Sequence, residues 1–365
     1  MRITTDFFLV LYFCLISSAV LAQSENASRA APPNVTVHID DAVLEISPWR
    51  NKTYEYCLPY TYHGTPTIKA TTKGKIEPVV TTTGSFQDSE NKITVSVALS
   101  YSERKCEFKI DIRKLPKLDL FLCIGQSNMA GRGPMDEAKG DLEPIPGVYL
   151  FTTDQNWETA ANPLNKYSNV RKEMRMQQIG PAYAFAQTLS TALPKSGVKT
   201  PIGLVVNALG GSSIEQWQKG NTKEPMLYAK TMERAKEARK WGKFRAVVWH
   251  QGESNSSRSS RYPAQLKRLI ADLRKDLGDD TLFFVAGEIA RWRKNDKGED
   301  PNAAFNAMIV GLRGEIGHFD VVSTADLKPL GGNPKDPHFD REGNLALGVR
   351  YGISVLENVY EKGRK

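Results

Sequence analysis

The order of hydrophobic and polar positions divides the chain into two parts. Between about residues 34 and 114, apolar side chains alternate with polar or small ones, most regularly over 93–99 and 108–113. A period of two is typical of β-strands that have one face in a core and the other face in water. We therefore predict a small antiparallel β-sandwich, an accessory domain that covers residues 23–116.

Beyond the segment Leu115-Pro116-Lys117 the pattern changes, and short apolar runs alternate with longer stretches of helical periodicity. Strands are predicted at 118–124, 202–207, 246–250, 282–286 and 321–324, and helices near 181–192, 228–241, 263–277, 302–316 and 342–361. Strand followed by helix, repeated, predicts an α/β domain over residues 117–365 with a parallel sheet covered on both faces. The stretch 136–172 has weak periodicity and is expected to be a long functional loop.

The first 22 residues have the pattern of a secretory signal peptide. Arg2 precedes an apolar run over 7–16, and Val20-Leu21-Ala22 provides a small residue at a cleavage point before Gln23. The run is shorter than a membrane span. We expect a mature protein that is secreted or periplasmic and leaves no part in the membrane. Export permits disulfides, and Cys57 and Cys106 either pair or remain thiols.

Composition narrows the class of protein. Hydrophobic residues make up 40% and charged residues 25% of 365 residues, which is ordinary for a globular chain with a sizeable core. The formal net charge is +8, yet no basic run is interleaved with aromatic residues, so we infer no nucleic-acid partner. Neither metal-ligand spacing nor a phosphate-binding glycine loop occurs, and no cofactor is predicted.

Four polar segments fall at or just after predicted strand ends. They are GQSNM at 125–129, NALGGSS at 207–213, WHQGES at 249–254 and DPH at 336–338. Because open α/β sheets bind ligands at the carboxyl ends of their strands, we expect these segments to meet at one edge. Together they contain a hydroxyl nucleophile, an imidazole, carboxylates and backbone donors, which are the groups that acyl transfer requires.

These four blocks resemble those of the SGNH hydrolase superfamily, and more narrowly its sialate O-acetylesterase-like and acetylxylan esterase-like branch (carbohydrate esterase family six). The matching segments read GQSNMAGRG, LGGSSIEQW, WHQGES and DPHFD, and the resemblance covers about residues 117–365. It implies a flavodoxin-like three-layer α/β/α fold. It also implies a secreted serine esterase that hydrolyses O-acetyl esters of carbohydrates, of the acetylated xylan or sialic acid type.

The resemblance also implies roles for single residues. Ser127 is the expected nucleophile, which forms the acetyl-enzyme, and His338 is the expected general base, with His250 as a rival. Many SGNH enzymes have an Asp three positions before the His, where this chain has Lys335. The acid that orients the base is therefore either Asp336, two positions before, or Glu253 of the HQGE block.

The expected oxyanion hole combines the backbone N–H groups of Ser127 and of Gly210 or Gly211 with the side-chain amide of Gln251. Substrate contacts are expected from Arg132, Asn128 and His250.

Two other functions remain open at this point. One is a catalytically silent glycan-binding protein on the same fold, and the other is an esterase or lipase that acts on non-carbohydrate esters. The N-terminal domain is a candidate for contact with polysaccharide.

Overall fold

The computed structural model describes residues 32–48, 52–87, 91–101 and 103–361. The predicted signal peptide at 1–22 lies outside these residues. Over the described ranges, no helix has the length and hydropathy needed to cross a membrane. Backbone contacts divide the chain into two compact units, with the division between Lys114 and Leu115.

The N-terminal unit consists of two β-sheets. Its strands are β1 (Val35–Ile39), β2 (Ala42–Ile46), β3 (Thr53–Leu58), β4 (Ile68–Thr72), β5 (Val79–Ser85), β6 (Lys92–Tyr101) and β7 (Arg104–Lys114). One sheet has the order β2-β1-β4 and the other β3-β7-β6-β5. All pairs are antiparallel except β3 with β7, which is parallel and departs from the all-antiparallel prediction.

The alternating pattern in the sequence accounts for the core of this unit. Val37, Val95, Val97 and Phe108 are fully buried, and residues of both sheets belong to one apolar cluster. Each sheet therefore buries the face that carries the apolar side chains and leaves the polar ones on the other face.

The register of these strands keeps two cysteines apart. Cys57 lies opposite Arg113, whereas Cys106 lies opposite Leu99 on the other side of β7. Seven positions of an extended strand span about 23 Å, far beyond the Cα separation of a disulfide. The two cysteines therefore do not pair with each other.

The C-terminal unit is built on a seven-stranded sheet. Its strands are β8 (Leu118–Gly125), β9 (Val148–Phe151), β10 (Trp157–Thr159), β11 (Ile202–Ala208), β12 (Gly242–His250), β13 (Phe283–Gly287) and β14 (Phe319–Val322). The order is β10-β9-β11-β8-β12-β13-β14, and every pair is parallel except β10 with β9.

Helices connect these strands. They are α1 (Ser127–Ala130), α2 (Pro181–Lys195), α3 (Leu227–Ala238), α4 (Tyr262–Leu277), α5 (Ala303–Gly311) and α6 (Arg341–Val355), the last continued by a π-helical turn over Leu356–Glu361. Short 3₁₀ turns lie at Glu137–Lys139, Leu164–Tyr167, Met174–Met176, Ile214–Trp217, Arg239–Trp241, Ser256–Arg261, Leu312–Gly314 and Leu330–Gly332. The parallel sheet with crossover helices confirms the α/β class predicted from the alternation of strands and helices.

The stretch 136–172 differs from its prediction as a loop, because it supplies β9 and the edge strand β10. Four and three residues are too few to establish a period of two in sequence. Their stability comes from tertiary packing: Phe151 and Trp157 are both buried, with ring centroids 5.0 Å apart.

Three of the four polar blocks meet at the centre of the sheet. β8 lies between β11 and β12, and the register places Ala208 and His250 on either side of Gly125. Because these three strands are parallel, the segments that follow them begin at the same edge. The fourth block directly precedes α6, whose N-terminus is capped by the Asp340 side chain.

Candidate active site

A glycine at the end of β8 determines where the first block turns. Gly125 has φ 141°, and a β-carbon there would lie 2.1 Å from the carbonyl oxygen of His250. Only glycine allows the backbone of β8 to approach β12 this closely. The next N–H, that of Gln126, donates to the same His250 oxygen at 2.9 Å, and helix α1 begins at Ser127. Ser127 therefore occupies a tight strand-to-helix turn.

The structure brings the predicted nucleophile and the predicted base together. Oγ of Ser127 lies 2.9 Å from Nε2 of His338, across 211 positions of sequence. This is hydrogen-bond distance, within reach for transfer of the hydroxyl proton to the imidazole.

Asp336 contacts the other nitrogen of the same imidazole. Its Oδ1 lies 2.7 Å from Nδ1 of His338 and also accepts the backbone N–H of His338 at 2.9 Å. A carboxylate that accepts the N–H two residues later forms an Asx turn. This turn explains how a spacing of two brings the carboxylate to the ring, whereas Lys335, at the spacing of three, is exposed.

Glu253, the other candidate for the acid, has different partners. Its Oε1 accepts from Nδ2 of Asn128 at 2.5 Å and lies 3.5 Å from Nε2 of His250. Among the described residues, no hydrogen bond or ion pair joins Glu253 to His338. Burial opposes ionisation of this carboxyl, but the contacts with His250 and Asn128 outweigh it and lower the pKa of Glu253.

Two residues that were expected to touch substrate are fully buried. Asn128 and His250 are each 0% exposed. Nδ1 of His250 lies 2.9 Å from the hydroxyl of Tyr351, which also faces away from solvent. These expectations are therefore wrong, and His250 also does not act as the rival base, because its ring cannot reach a substrate from inside the core.

The expected oxyanion donors of the backbone are available. In the described part of the chain, the N–H groups of Ser127, Gly210 and Gly211 have no protein acceptor. A β-carbon on Gly210 would lie 3.5 Å from Cβ of Ser127. The absence of a side chain at this position lets the Arg132 guanidinium approach the turn beside the nucleophile.

The side-chain amide of Gln251 does not contribute as expected. Gln251 is 0% exposed, and its Nε2 donates to Oε1 of Gln126, the carbonyl of Ser212 and Oδ1 of Asn255 at 2.7–3.1 Å. Two hydrogens already shared among three acceptors leave none for a substrate. The longer side chain is held inside the protein, so this prediction is corrected.

Arg132 lies beside the nucleophile, as its position after the first block suggests. Its Nη1 donates to the carbonyls of Gly131 and Met176, while Nη2 would lie 2.6 Å from a β-carbon on Gly210. Lys172 is exposed, with Nζ 3.8 Å from a β-carbon built on Gly211. Within the described ranges neither cation forms an ion pair, and burial lowers the pKa of Arg132.

One contact in the site has no sequence signal. Nε1 of Trp292 donates to the carbonyl of Asp336 at 3.0 Å, and the indole packs edge-to-face on Phe339. Trp292 thus supports the loop that carries His338. It follows β13 in an irregular segment with no motif, so only the path of the chain reveals its position. No cluster of potential metal ligands occurs among the described residues.

A known family of proteins matches the C-terminal unit of this chain. The model of the family described as "Carbohydrate esterase, sialic acid-specific acetylesterase" matches residues 117–357. A probable carbohydrate esterase of Arabidopsis thaliana is 31% identical over 192 residues, which are 48% of this chain and 70% of that protein.

Solved structures are similar as well. The X-ray structure of the same plant protein has a TM-score of 0.55 and 28% identity, and covers 67% of this chain and 100% of its own. A carbohydrate acetylesterase from Xanthomonas citri has a TM-score of 0.47 and 17% identity, over 91% of this chain and 70% of its own.

Proposed function

The chain belongs to the sialic acid-specific acetylesterase family of carbohydrate esterases, and from that premise we propose that it deacetylates sugars through an acetyl-enzyme on Ser127. The observation that supports this mechanism is the line of contacts from Ser127 through His338 to Asp336, at 2.9 and 2.7 Å. A hydroxyl, an imidazole and a carboxylate in this order are the groups of a serine hydrolase.

In the first half of the reaction, Oγ of Ser127 attacks the acetyl carbonyl carbon while Nε2 of His338 takes the hydroxyl proton. The bond to the sugar oxygen breaks, and His338 returns the proton to that oxygen. In the second half, His338 takes a proton from water, the resulting hydroxide attacks the acetyl-enzyme, and acetate leaves as Ser127 regains its proton. Asp336 keeps Nδ1 protonated and stabilises the imidazolium.

The negative oxygen of each tetrahedral intermediate is assigned to the N–H groups of Ser127 and of Gly210 or Gly211. These donors are fixed by the turn after β8 and by the turn after β11, so they need no reorganisation when charge develops. One such donor typically contributes about 2.7–4 kcal/mol in the transition state.

The charges beside the nucleophile favour a sugar that bears a carboxylate over neutral xylan. Arg132 and Lys172 flank the Gly210-Gly211 turn. We assign them to the anionic group of an acetylated sugar of the sialic acid type.

A matched substrate pair tests this assignment: an acetylated sialic acid and its carboxyl methyl ester. K172Q should raise KM up to about fivefold for the acid alone, with K199Q as the control, and equal effects on both substrates would contradict it.

The finer features of the whole chain are also proposals. We propose that the signal peptide is cleaved after Ala22 and that the mature protein is exported. We also propose a three-layer α/β/α arrangement for residues 117–365 and a β-sandwich for the N-terminal unit. The sandwich is supported by the shared core of its two sheets. Contact of this unit with polysaccharide is proposed with it, and loss of binding to insoluble acetylated glycan after its removal would support that role.

The central experiment is acetate release by S127A, H338A and the unchanged protein from acetylated sialic acid, acetylated xylan and an aryl acetate. Loss of the nucleophile should lower kcat by about 10³-fold or more, whereas S254A, a serine of the neighbouring block, serves as the control. Near-normal rates for S127A would contradict the mechanism. If the unchanged protein binds glycan without releasing acetate, the result would favour a catalytically silent glycan-binding protein. A preference for long acyl chains would favour an esterase that acts on non-carbohydrate esters.

A further inference from the structure

We propose that Glu253 is a positioning residue, which fixes the general base through Asn128 rather than orienting its imidazole directly. The inference rests on the proposed function, in which His338 acts on Ser127. It gives Glu253, the buried glutamate of the HQGE block, a role that the sequence motif alone does not determine.

The first step is the contact between Asn128 and the loop of the base. Oδ1 of Asn128 accepts the N–H of Phe339 at 3.3 Å, and Nδ2 donates to the carbonyl of Pro337 at 3.2 Å. These two peptide groups lie on either side of His338. One side chain therefore holds the backbone before and after the base, and that side chain belongs to the residue next to Ser127.

The second step is the contact between Glu253 and Asn128. The remaining hydrogen of the Asn128 amide donates to Oε1 of Glu253 at 2.5 Å. The amide orientation is thereby fixed, because an interchange of its oxygen and nitrogen would place oxygen against both the carboxylate and the Pro337 carbonyl. Glu253 thus determines which end of Asn128 faces Pro337 and which faces Phe339.

The third step is the support of Glu253 from inside the core. The Tyr351 hydroxyl donates its one hydrogen to the carbonyl of Trp249 at 3.1 Å, so it accepts from Nδ1 of His250. Nε2 of the same ring lies 3.5 Å from Oε1 of Glu253, and the imidazolium form, which carries hydrogen on both nitrogens, forms an ion pair with this carboxylate. Because His250 and Tyr351 are fully buried and the Glu253 side chain is 8% exposed, the carboxylate has little freedom to leave Asn128.

Such a link matters because the part of the loop that leads to the base is exposed. Residues 331–335 are exposed, and the ring itself is held by Asp336, a member of the same loop. Asp336 can orient the imidazole within the loop but cannot fix the loop relative to Ser127. A displacement of about 1 Å between reacting groups can lower a rate about 10²-fold.

The test compares E253A, E253Q and D336N on an aryl acetate, with the midpoint of thermal unfolding recorded for each. We expect E253A to lower kcat about 10²-fold with KM little changed. E253Q should retain kcat within about fivefold, since its amide oxygen still accepts from Asn128. The pH midpoint of kcat/KM should be the same in E253Q and the unchanged protein, because the partner of the His338 ring, Asp336, is intact.

A double-mutant cycle isolates the link from general damage. If Glu253 acts through Asn128, E253A should add little further loss in an N128A background. If E253A does not fold, the reciprocal exchange N128D/E253Q provides the test, because it restores one donor and one acceptor in the opposite order and should recover activity relative to N128D.

Three results would overturn the proposal. One is a folded E253A with kcat within twofold of normal. Another is an E253Q as inactive as D336N, which would make the charge of Glu253 the essential property. The third is an equal loss from E253A with and without Asn128. In each case an inactive S127A would show that the esterase mechanism itself stands.

Discussion

Replacement of Asp336 by asparagine is the sharpest test of the catalytic geometry. The carboxylate oxygen lies 2.7 Å from Nδ1 of His338, and the two side chains are 27% and 24% exposed. At that distance a unit charge pair contributes roughly 1.5 kcal/mol in water and roughly 6 kcal/mol at an effective dielectric constant of about 20. Those limits correspond to about 10-fold and more than 10⁴-fold in rate. Because both groups are partly solvated, we expect D336N to lower kcat about 10²–10³-fold.

The assay is aryl acetate turnover over a range of pH, in which the loss should fall on kcat rather than KM. D340N is the matched control, since it makes the same chemical change in the same loop. Asp340 caps α6 by accepting from the N–H of Gly343 at 2.7 Å, and asparagine is an equally good cap. D340N should keep kcat within about twofold. If D336N keeps more than a third of the normal kcat, another group orients His338 and the present reasoning is refuted.

Two further predictions concern stability, measured as the free energy of unfolding. G348A should lose about 1–3 kcal/mol, because its β-carbon would lie 2.3 Å from the backbone oxygen of Pro181. As a control, the β-carbon of G311A meets nothing within 4 Å, and this variant should gain about 0.5 kcal/mol. A stabilised G348A would contradict the close packing of α2 and α6. A hydrogen bond from Arg341 lowers the pKa of Asp141 below its ordinary 3.8. The pair of Asp141 and Arg341 therefore stabilises the fold fully above about pH 4, and this stabilisation is lost as the pH falls further. D141N should lower the free energy of unfolding by about 3 kcal/mol at pH 6 and by progressively less below about pH 4. A loss that does not vary with pH would exclude this pair as its source.

The strands were predictable wherever burial leaves a local pattern. β6 and β7 follow from alternation, and β8 from a continuous apolar run, because a strand buried on one or on both faces imposes that pattern on its own residues. β9 and β10 were missed because they are too short to show a period. The parallel pairing of β3 with β7 was missed because strand direction depends on the path of the chain between the sheets.

The site shows the same division. That Ser127 and Gly210 belong to strand-end blocks follows from the sequence, since each motif and its strand are adjacent in the chain, whereas the His338 block lies just before α6. The hydrogen-bond partners of Gln251 and Asn128 do not follow from the sequence. Both side chains lie inside the protein and bind groups that other loops contribute.

By itself, the sequence therefore determined the class of the C-terminal unit, the order of its polar blocks and the residue types available for acyl transfer. Tertiary structure alone decided that Asp336 rather than Glu253 meets the imidazole, that His250 and Gln251 are internal, and that Trp292 supports the loop. The reason is that periodicity reflects the surroundings of a single segment, whereas a hydrogen bond across 211 positions depends on how every intervening loop is folded.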